Sequence, residues 1–368
     1  MCEFPLNEFS VPLPDEGWSK KTISLQDAIV APPQESRPRT PSGIWKDGDI
    51  AQAAIWRLGT RMTLPLEQAP TPVERLEGNF LFGGMYYGHF GHFITETICR
   101  LWAAENSYDG IIFTPKHAKL THFKKNHREI FKIFGITCPM LILGQPTLVE
   151  SITVPGQGFG LGDIARGTDE YREFLRNTVG KITPDGPEKI YISRTQYVAN
   201  GGLLGETVLE ENLKRSGYVP VYPEKLSWAE QLALYRAARK IISADTSALH
   251  MAGMAADPDK DIAVILRRNN AEHHSMRLQL QGMTGKDPLV INSLDAEYLE
   301  PGKKPNHNSW GQVNFTEIHA ALLAQGYLDP GADWDTPSDE VIRSDIAEAE
   351  RRAGRNLVHT PVTKRFGQ

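Results

Sequence analysis

Between Lys189 and Leu266, four short apolar runs alternate with helical patterns, and this alternation limits the fold more than any other feature of the chain. KIYIS (189–193), YVPVY (218–222), KIISA (240–244) and DIAVIL (261–266) have the length and β-branched content of buried strands. Residues 206–216 carry a helical pattern that Gly217 stops. In SWAE (227–230), Ser227 is an N-cap with Glu230 three residues on, a capping box opening a helix to about Arg239. A further helix starts near Thr246. Apolar strands joined by helices build a parallel sheet covered on both faces, and the order β-α-β-α-β-α-β is a Rossmann-like signature.

The first half repeats the theme less clearly. NFLFGG (79–84), DGIIFT (109–114), PMLILG (139–144) and SITVPGQGFGLG (151–162) read as strands or strands running into glycines. Residues 89–105, 121–134 and 168–180 read as helices, the second of them basic and amphipathic. Residues 1–75 are proline-rich, with APPQESRPRTPSG (31–43) a loop, and are expected to form an irregular arm. The expected organisation is an arm over 1–75, a Rossmann-like domain over 76–183, a linker at Pro184–Pro187, a second Rossmann-like domain over 188–335, and a charged C-terminal helix with tail over 336–368. The fold class is α/β, and a chain of 368 residues suits two such cores. Two such domains suggest a ligand cleft between them.

Charge and cysteine usage narrow the function. A formal net charge of -5 does not suit broad nucleic-acid binding, so an anionic ligand would need a local basic site. Cys2, Cys99 and Cys138 show no CxxC spacing and fit a reducing compartment. The opening MCEFPLNEFSVPLPDEGW lacks the basic end and apolar run of a signal peptide. No stretch approaches the roughly 20 apolar residues of a bilayer span. These features predict a soluble or membrane-peripheral protein.

Three clusters could carry chemistry. In YYGHFGHFITETICRLW (86–102), a helix from His89 would align His89, His92, Glu96 and Arg100 on one stripe. Such a line could be a structural Glu96–Arg100 pair or a metal site on His89, His92 and Glu96. It could also be a site where Glu96 or His92 takes a proton from a hydroxyl. The zincin HExxH pattern is absent. Ser193 and Arg194 follow the strand KIYIS, where open α/β sheets bind ligands, and an Arg there offers a fork of donors to phosphate. In IISADTSALHMAGM (241–254), Asp245 reads as an N-cap. Thr246, Ser247 and Ala248 open a helix whose N–H groups suit an anion, and His250 lies one turn in. No Walker A sequence occurs.

Together these pieces resemble glycosyltransferase family 61, in the form found in bacterial surface-polysaccharide biosynthesis. The family's first-domain pattern falls on His92, Phe93, Glu96, Arg100 and Leu101, and its Ile-Ser-Arg strand end on Ile192, Ser193 and Arg194. Ser227, Glu230 and Gln231 match the lead-in to its HGAGL helix start, which Ser247, Ala248 and Leu249 match in part. The resemblance covers roughly residues 79–268. The sequence departs from the pattern at Asp245, where the family has His, at Thr246 and Ala248, where it has Gly, and at Glu96, where Asp is usual. An Asp facing a diphosphate would repel it, which leaves the donor's identity open.

The resemblance implies a GT-B architecture of two Rossmann-like domains facing across a cleft, and a metal-independent, inverting, in-line transfer with no cofactor. The donor would be a nucleotide-sugar and the acceptor a glycan or lipid-linked glycan. Glu96 and His92 would be catalytic. Gly88, His89, Arg100, Ser193, Arg194, Asp245, Thr246, Ser247 and His250 would bind substrate. It implies a cytoplasmic enzyme with room for peripheral association at the inner face of the membrane. The competing readings are a metal-dependent hydrolase built on His89, His92 and Glu96, and a non-catalytic nucleotide- or sugar-binding protein.

Overall fold

A computed structural model of the chain describes residues 22–34, 40–57, 60–197 and 201–366. Cys2 and the opening 21 residues lie outside them. The chain divides into two compact units, Met1–Ile182 and Thr183–Gln368.

The first unit runs β1 (Thr22–Ala31), β2 (Gly43–Trp45), a small hairpin of β3 (Trp56–Arg57) and β4 (Thr60–Arg61), β5 (Glu74–Tyr86), α1 (Phe90–His92), β6 (Gly110–Pro115), α2 (Lys125–Ile133), β7 (Met140–Ile142), β8 (Thr147–Pro155) and α3 (Asp169–Thr178). Its main sheet has six strands in the order β2-β1-β8-β5-β6-β7. The strands from β8 to β7 are parallel, and β1 joins β8 antiparallel. The segment expected as an irregular arm therefore supplies β1 and β2 to this sheet, besides the β3–β4 hairpin. Ala28, Val30 and Ile44 are fully buried beside Val149, Phe80 and Phe82, and that burial outweighs the prolines around them.

The helix expected over 89–105 forms only in pieces. α1 is three residues long, a π-turn covers Phe93–Thr97, and a short 3₁₀ turn follows at Leu101–Ala103. Ile98 N–H donates to the carbonyl of Phe93 five residues back. Side chains take over part of the backbone bonding: Thr97 Oγ1 accepts from Tyr87 N–H at 2.9 Å, and Thr95 Oγ1 donates to the Gly91 carbonyl at 3.0 Å. α2 braces the turn through His127. Its ring stacks on Phe93 at 3.9 Å, and its Nδ1 lies 3.0 Å from the Tyr86 hydroxyl. Burial and the nearby Lys124 lower the His127 imidazole to about 4, so it is neutral at pH 7 and acts as packing.

The second unit runs β9 (Lys189–Ile192), β10 (Gly202–Leu203), α4 (Glu206–Arg215), β11 (Val219–Val221), α5 (Trp228–Ala237), β12 (Lys240–Ala244), α6 (Ala248–Met254), β13 (Asp261–Ile265), α7 (Glu272–Thr284), β14 (Leu289–Ile291), β15 (Leu294–Leu299), β16 (Trp310–Val313), α8 (Phe315–Ala324), α9 (Asp339–Ala353) and β17 (Val358–Pro361). A five-stranded, wholly parallel sheet has the order β11-β9-β12-β13-β14. Its two directions of winding part between β9 and β12, the place where open α/β sheets leave a crevice at their carboxyl edge. A second sheet, β10-β16-β15-β17, takes its last strand from the tail after α9, so that tail is part of the fold.

The α/β class read from the sequence holds in both units, and so does the SWAE capping box. Ser227 Oγ accepts from Glu230 N–H at 3.3 Å, and the Glu230 carboxylate accepts from Ser227 N–H at 2.7 Å. Ser227→Ala removes the cap. It should destabilise the protein by about 1 kcal/mol, seen as a lower urea midpoint with an unchanged slope.

Candidate active site

At the carboxyl end of β5 the chain passes through Tyr87 and Gly88 into α1. Gly88 is half-buried and His89 is exposed. Here His92 and Glu96 realise the spacing that a helical turn predicts: His92 Nδ1 lies 2.5 Å from Glu96 Oε2. Glu96 is fully buried, whereas the His92 side chain is 40% exposed. Arg57, from the small hairpin, grips the same carboxylate with both arms of its fork, Nε to Oε1 at 2.7 Å and Nη2 to Oε2 at 2.6 Å. Burial by itself would raise the Glu96 carboxyl. The hydrogen bonds from His92 and Arg57, with the charge of Arg57, outweigh it and hold Glu96 below the usual carboxylate range. An ionised carboxylate only accepts, so Nδ1 of His92 carries a proton, and in the neutral imidazole the lone pair falls on Nε2.

Arg100 does not continue this stripe. The π-turn is wider than an α-turn and rotates later residues off the His92–Glu96 face. The Arg100 guanidinium is fully buried and donates to the carbonyls of Gln52 (2.7 Å), Ala54 (2.6 Å) and Pro155. Gly84 makes room for it. Its φ of +98° suits glycine, and a Cβ there would lie 3.1 Å from Arg100 Cδ. The expected substrate contact is thus a structural tie. Burial lowers Arg100 to about 10, so it stays charged at pH 7.

In the second unit, Arg194 follows β9, and Asp245 and Thr246 follow β12, the two strands at the divide in the sheet. Arg194 donates from Nη1 to Thr246 Oγ1 at 3.0 Å and from Nη2 to the Gly201 carbonyl at 2.8 Å. Its guanidinium lies 4.7 Å from the Tyr197 ring centre, and Nε has no hydrogen-bond partner among the described residues. Ser193 faces inward instead, its hydroxyl donating to Glu210 at 2.7 Å. Asp245 does not cap the helix. Ser247 occupies the N-cap, without a side-chain capping bond, and both Asp245 oxygens take the fork of Arg268 at 2.7 and 3.0 Å. Burial opposes ionisation of Asp245, but Arg268, Arg267 and Arg194 pull it down to about 2. His250 Nδ1 lies 2.5 Å from Gln279 Oε1, which turns the ring toward α7.

Residues 90–262 match the family model described as glycosyltransferase 61. The chain carries a glycosyltransferase family 61 domain. The protein is therefore a glycosyltransferase, with a sugar donor and an acceptor as its substrates. No curated protein matches the chain. The matched segment holds His92, Glu96, Arg194, Asp245 and Thr246, and so spans both units.

Three arginines of the transferase escaped the sequence reading. Arg267 and Arg268 follow β13 after Leu266, as Arg194 follows β9 after Ser193, and the same rule would have found them. Arg57 lies in the segment read as an arm, and no local pattern marks it. His89, His92 and Glu96 do not converge as metal ligands. Both Glu96 oxygens are engaged by Arg57 and His92, and among the described residues no group of three His, Cys, Asp or Glu side chains is placed to hold a metal ion.

Two outcomes follow from this geometry. Arg100→Met leaves three buried carbonyls without their donor. It should cost about 3 kcal/mol or more by chemical denaturation, a loss of fold where a substrate contact would give only a loss of binding. Glu96, with its native pKa depressed, contributes stability that is fully present above the ordinary carboxylate value near ~4.3 and is lost as pH falls through the native value. Denaturation followed from pH 7 downward should therefore show stability falling below about pH 4.5 in the parent. The fall should be shallower in Glu96→Gln.

Proposed function

We propose that this glycosyltransferase moves a sugar, with inversion, from a nucleotide-sugar donor held by the second unit to a hydroxyl of a glycan acceptor held by the first. The observation that carries the reading is the burial of Glu96 beneath Arg57 and His92. A carboxylate with both oxygens engaged and no exposure cannot reach an acceptor, whereas the imidazole it orients is exposed and its Nε2 makes no hydrogen bond among the described residues. The base is His92, and Glu96 positions it, in the manner of an Asp–His pair in a hydrolytic triad. His92 Nε2 takes the acceptor proton, the acceptor oxygen bonds to the anomeric carbon, and the bond from that carbon to the leaving phosphate oxygen breaks with its electron pair. Glu96 stabilises the imidazolium.

The leaving phosphate falls to Arg194, with Thr246 at its side and Arg268 set by Asp245. These groups would meet developing negative charge without a metal ion. Their position at the carboxyl edge, where the second sheet divides, supports this assignment. A GT-B architecture, a role in bacterial surface-polysaccharide synthesis, and action in the cytoplasm or at the inner membrane face belong to the same proposal.

His92→Ala should lower kcat about 100- to 10,000-fold while leaving donor binding within about twofold. Arg194→Ala should chiefly raise the KM for the donor. Turnover with candidate nucleotide-sugars, measured with and without EDTA, checks all three points. Full turnover in His92→Ala would remove the assigned base, and a rate abolished by EDTA would favour a metal-assisted mechanism.

A further inference from the structure

The surroundings of His92 carry more positive charge than the reaction alone requires. Lys116 follows β6 directly, as Tyr87 follows β5, and its N–H donates to the Tyr86 carbonyl at 3.0 Å. Three basic groups therefore surround the Tyr87 ring: the His92 ring at 5.4 Å, the Arg57 guanidinium at 5.8 Å and the Lys116 ammonium at 5.9 Å, all measured to the ring centre. Lys116 is half-buried, and its side chain makes no ion pair or hydrogen bond among the described residues. Burial and the charge of Arg57 push its amine below the usual lysine value. The nearby carboxylate, Glu96, already has both oxygens engaged. A half-buried cation held beside another cation is unfavourable unless an anion arrives to offset it.

The positive face continues outward. From Lys116 to Lys132 the chain has six lysines and arginines against one acid, Glu129, in a protein of net charge -5. Lys119, Lys124 and Lys125 are exposed, and Lys124 lies beside Gly88, its Cε 3.8 Å from where a Cβ on that glycine would stand.

Building on the proposed role of His92, we propose that the acceptor is an anionic sugar, carrying a carboxylate or a phosphate near the attacked hydroxyl, and that Lys116 receives that group. An anionic surface such as a membrane would engage the exposed lysines. Lys116, half-buried at the end of β6 and sharing the Tyr87 ring with His92, is placed for a small group delivered to the base.

The test is saturation-transfer NMR on the full chain with glucose, glucuronic acid and glucose 6-phosphate as probes. At least one acidic sugar should bind about tenfold or more tighter than glucose, as expected for one charge-assisted hydrogen bond. The preferred sugar tells carboxylate from phosphate. Lys116→Gln should abolish the preference without lowering Tm, while His92→Ala and Arg194→Ala should keep it. The proposal is overturned by equal binding of glucose, by no binding of either acidic sugar, or by a preference that survives Lys116→Gln. It is equally overturned if the preference vanishes in Arg194→Ala, which would place the sugar at the donor side. Loss in the double variant Lys119→Glu/Lys125→Glu with retention in Lys116→Gln would show general attraction of polyanions and also sinks it. Failure of the transfer mechanism itself would show separately, as turnover unaffected by His92→Ala.

Discussion

The first unit depends on a guanidinium placed where a core would ordinarily hold an apolar side chain. Arg100 reaches across to three backbone carbonyls, two from residues 52–54 and one from the end of β8. Gln52 and Gln157 add side-chain bonds between the same two stretches. The chain through residues 50–57 has little regular structure of its own, and these bonds give it a fixed path. At the end of that path stands Arg57, whose fork joins the hydrogen bond from His92 in holding Glu96 ionised. A buried charge thus fixes the backbone, the backbone delivers a second arginine, and that arginine prepares the carboxylate that orients the imidazole.

The π-turn at Phe93–Thr97 separates the structural arginine from the His92–Glu96 pair. In a regular α-helix His92, Glu96 and Arg100 would share one face and Arg100 would compete with His92 for the carboxylate. The wider turn keeps the i, i+4 contact between His92 and Glu96 and turns Arg100 inward. Thr95, Thr97 and the stack of His127 on Phe93 brace it locally.

This explains what could be read in the sequence. The His92–Glu96 contact was legible because it depends on a single turn, and β9, β11, β12 and β13 were legible because each is a short apolar run between helical patterns. The capping box at Ser227 was legible because its partners are three residues apart. Arg57 was not, since nothing near it in sequence announces an interaction 39 residues away. The arm's strands were hidden because half of β1 faces solvent and its apolar residues gain meaning only against β8. The inward turn of Arg100 needed Gly84 and three distant carbonyls, none of which a helical wheel displays.

Asp245 stands where the family pattern has a histidine, and its surroundings resolve the repulsion such an acid would exert on a diphosphate. Arg268 neutralises it with a bidentate pair, Arg267 donates to its backbone carbonyl at 2.8 Å, and Arg194 lies one residue further on, at Thr246. Burial lowers Arg267 to about 9, with Asp245 acting against that fall, so at pH 7 the guanidinium remains charged. Asp245 stands beside Glu272, which also pairs with Arg268. It also makes the burial of adjacent arginines tolerable and fixes the direction of Arg268.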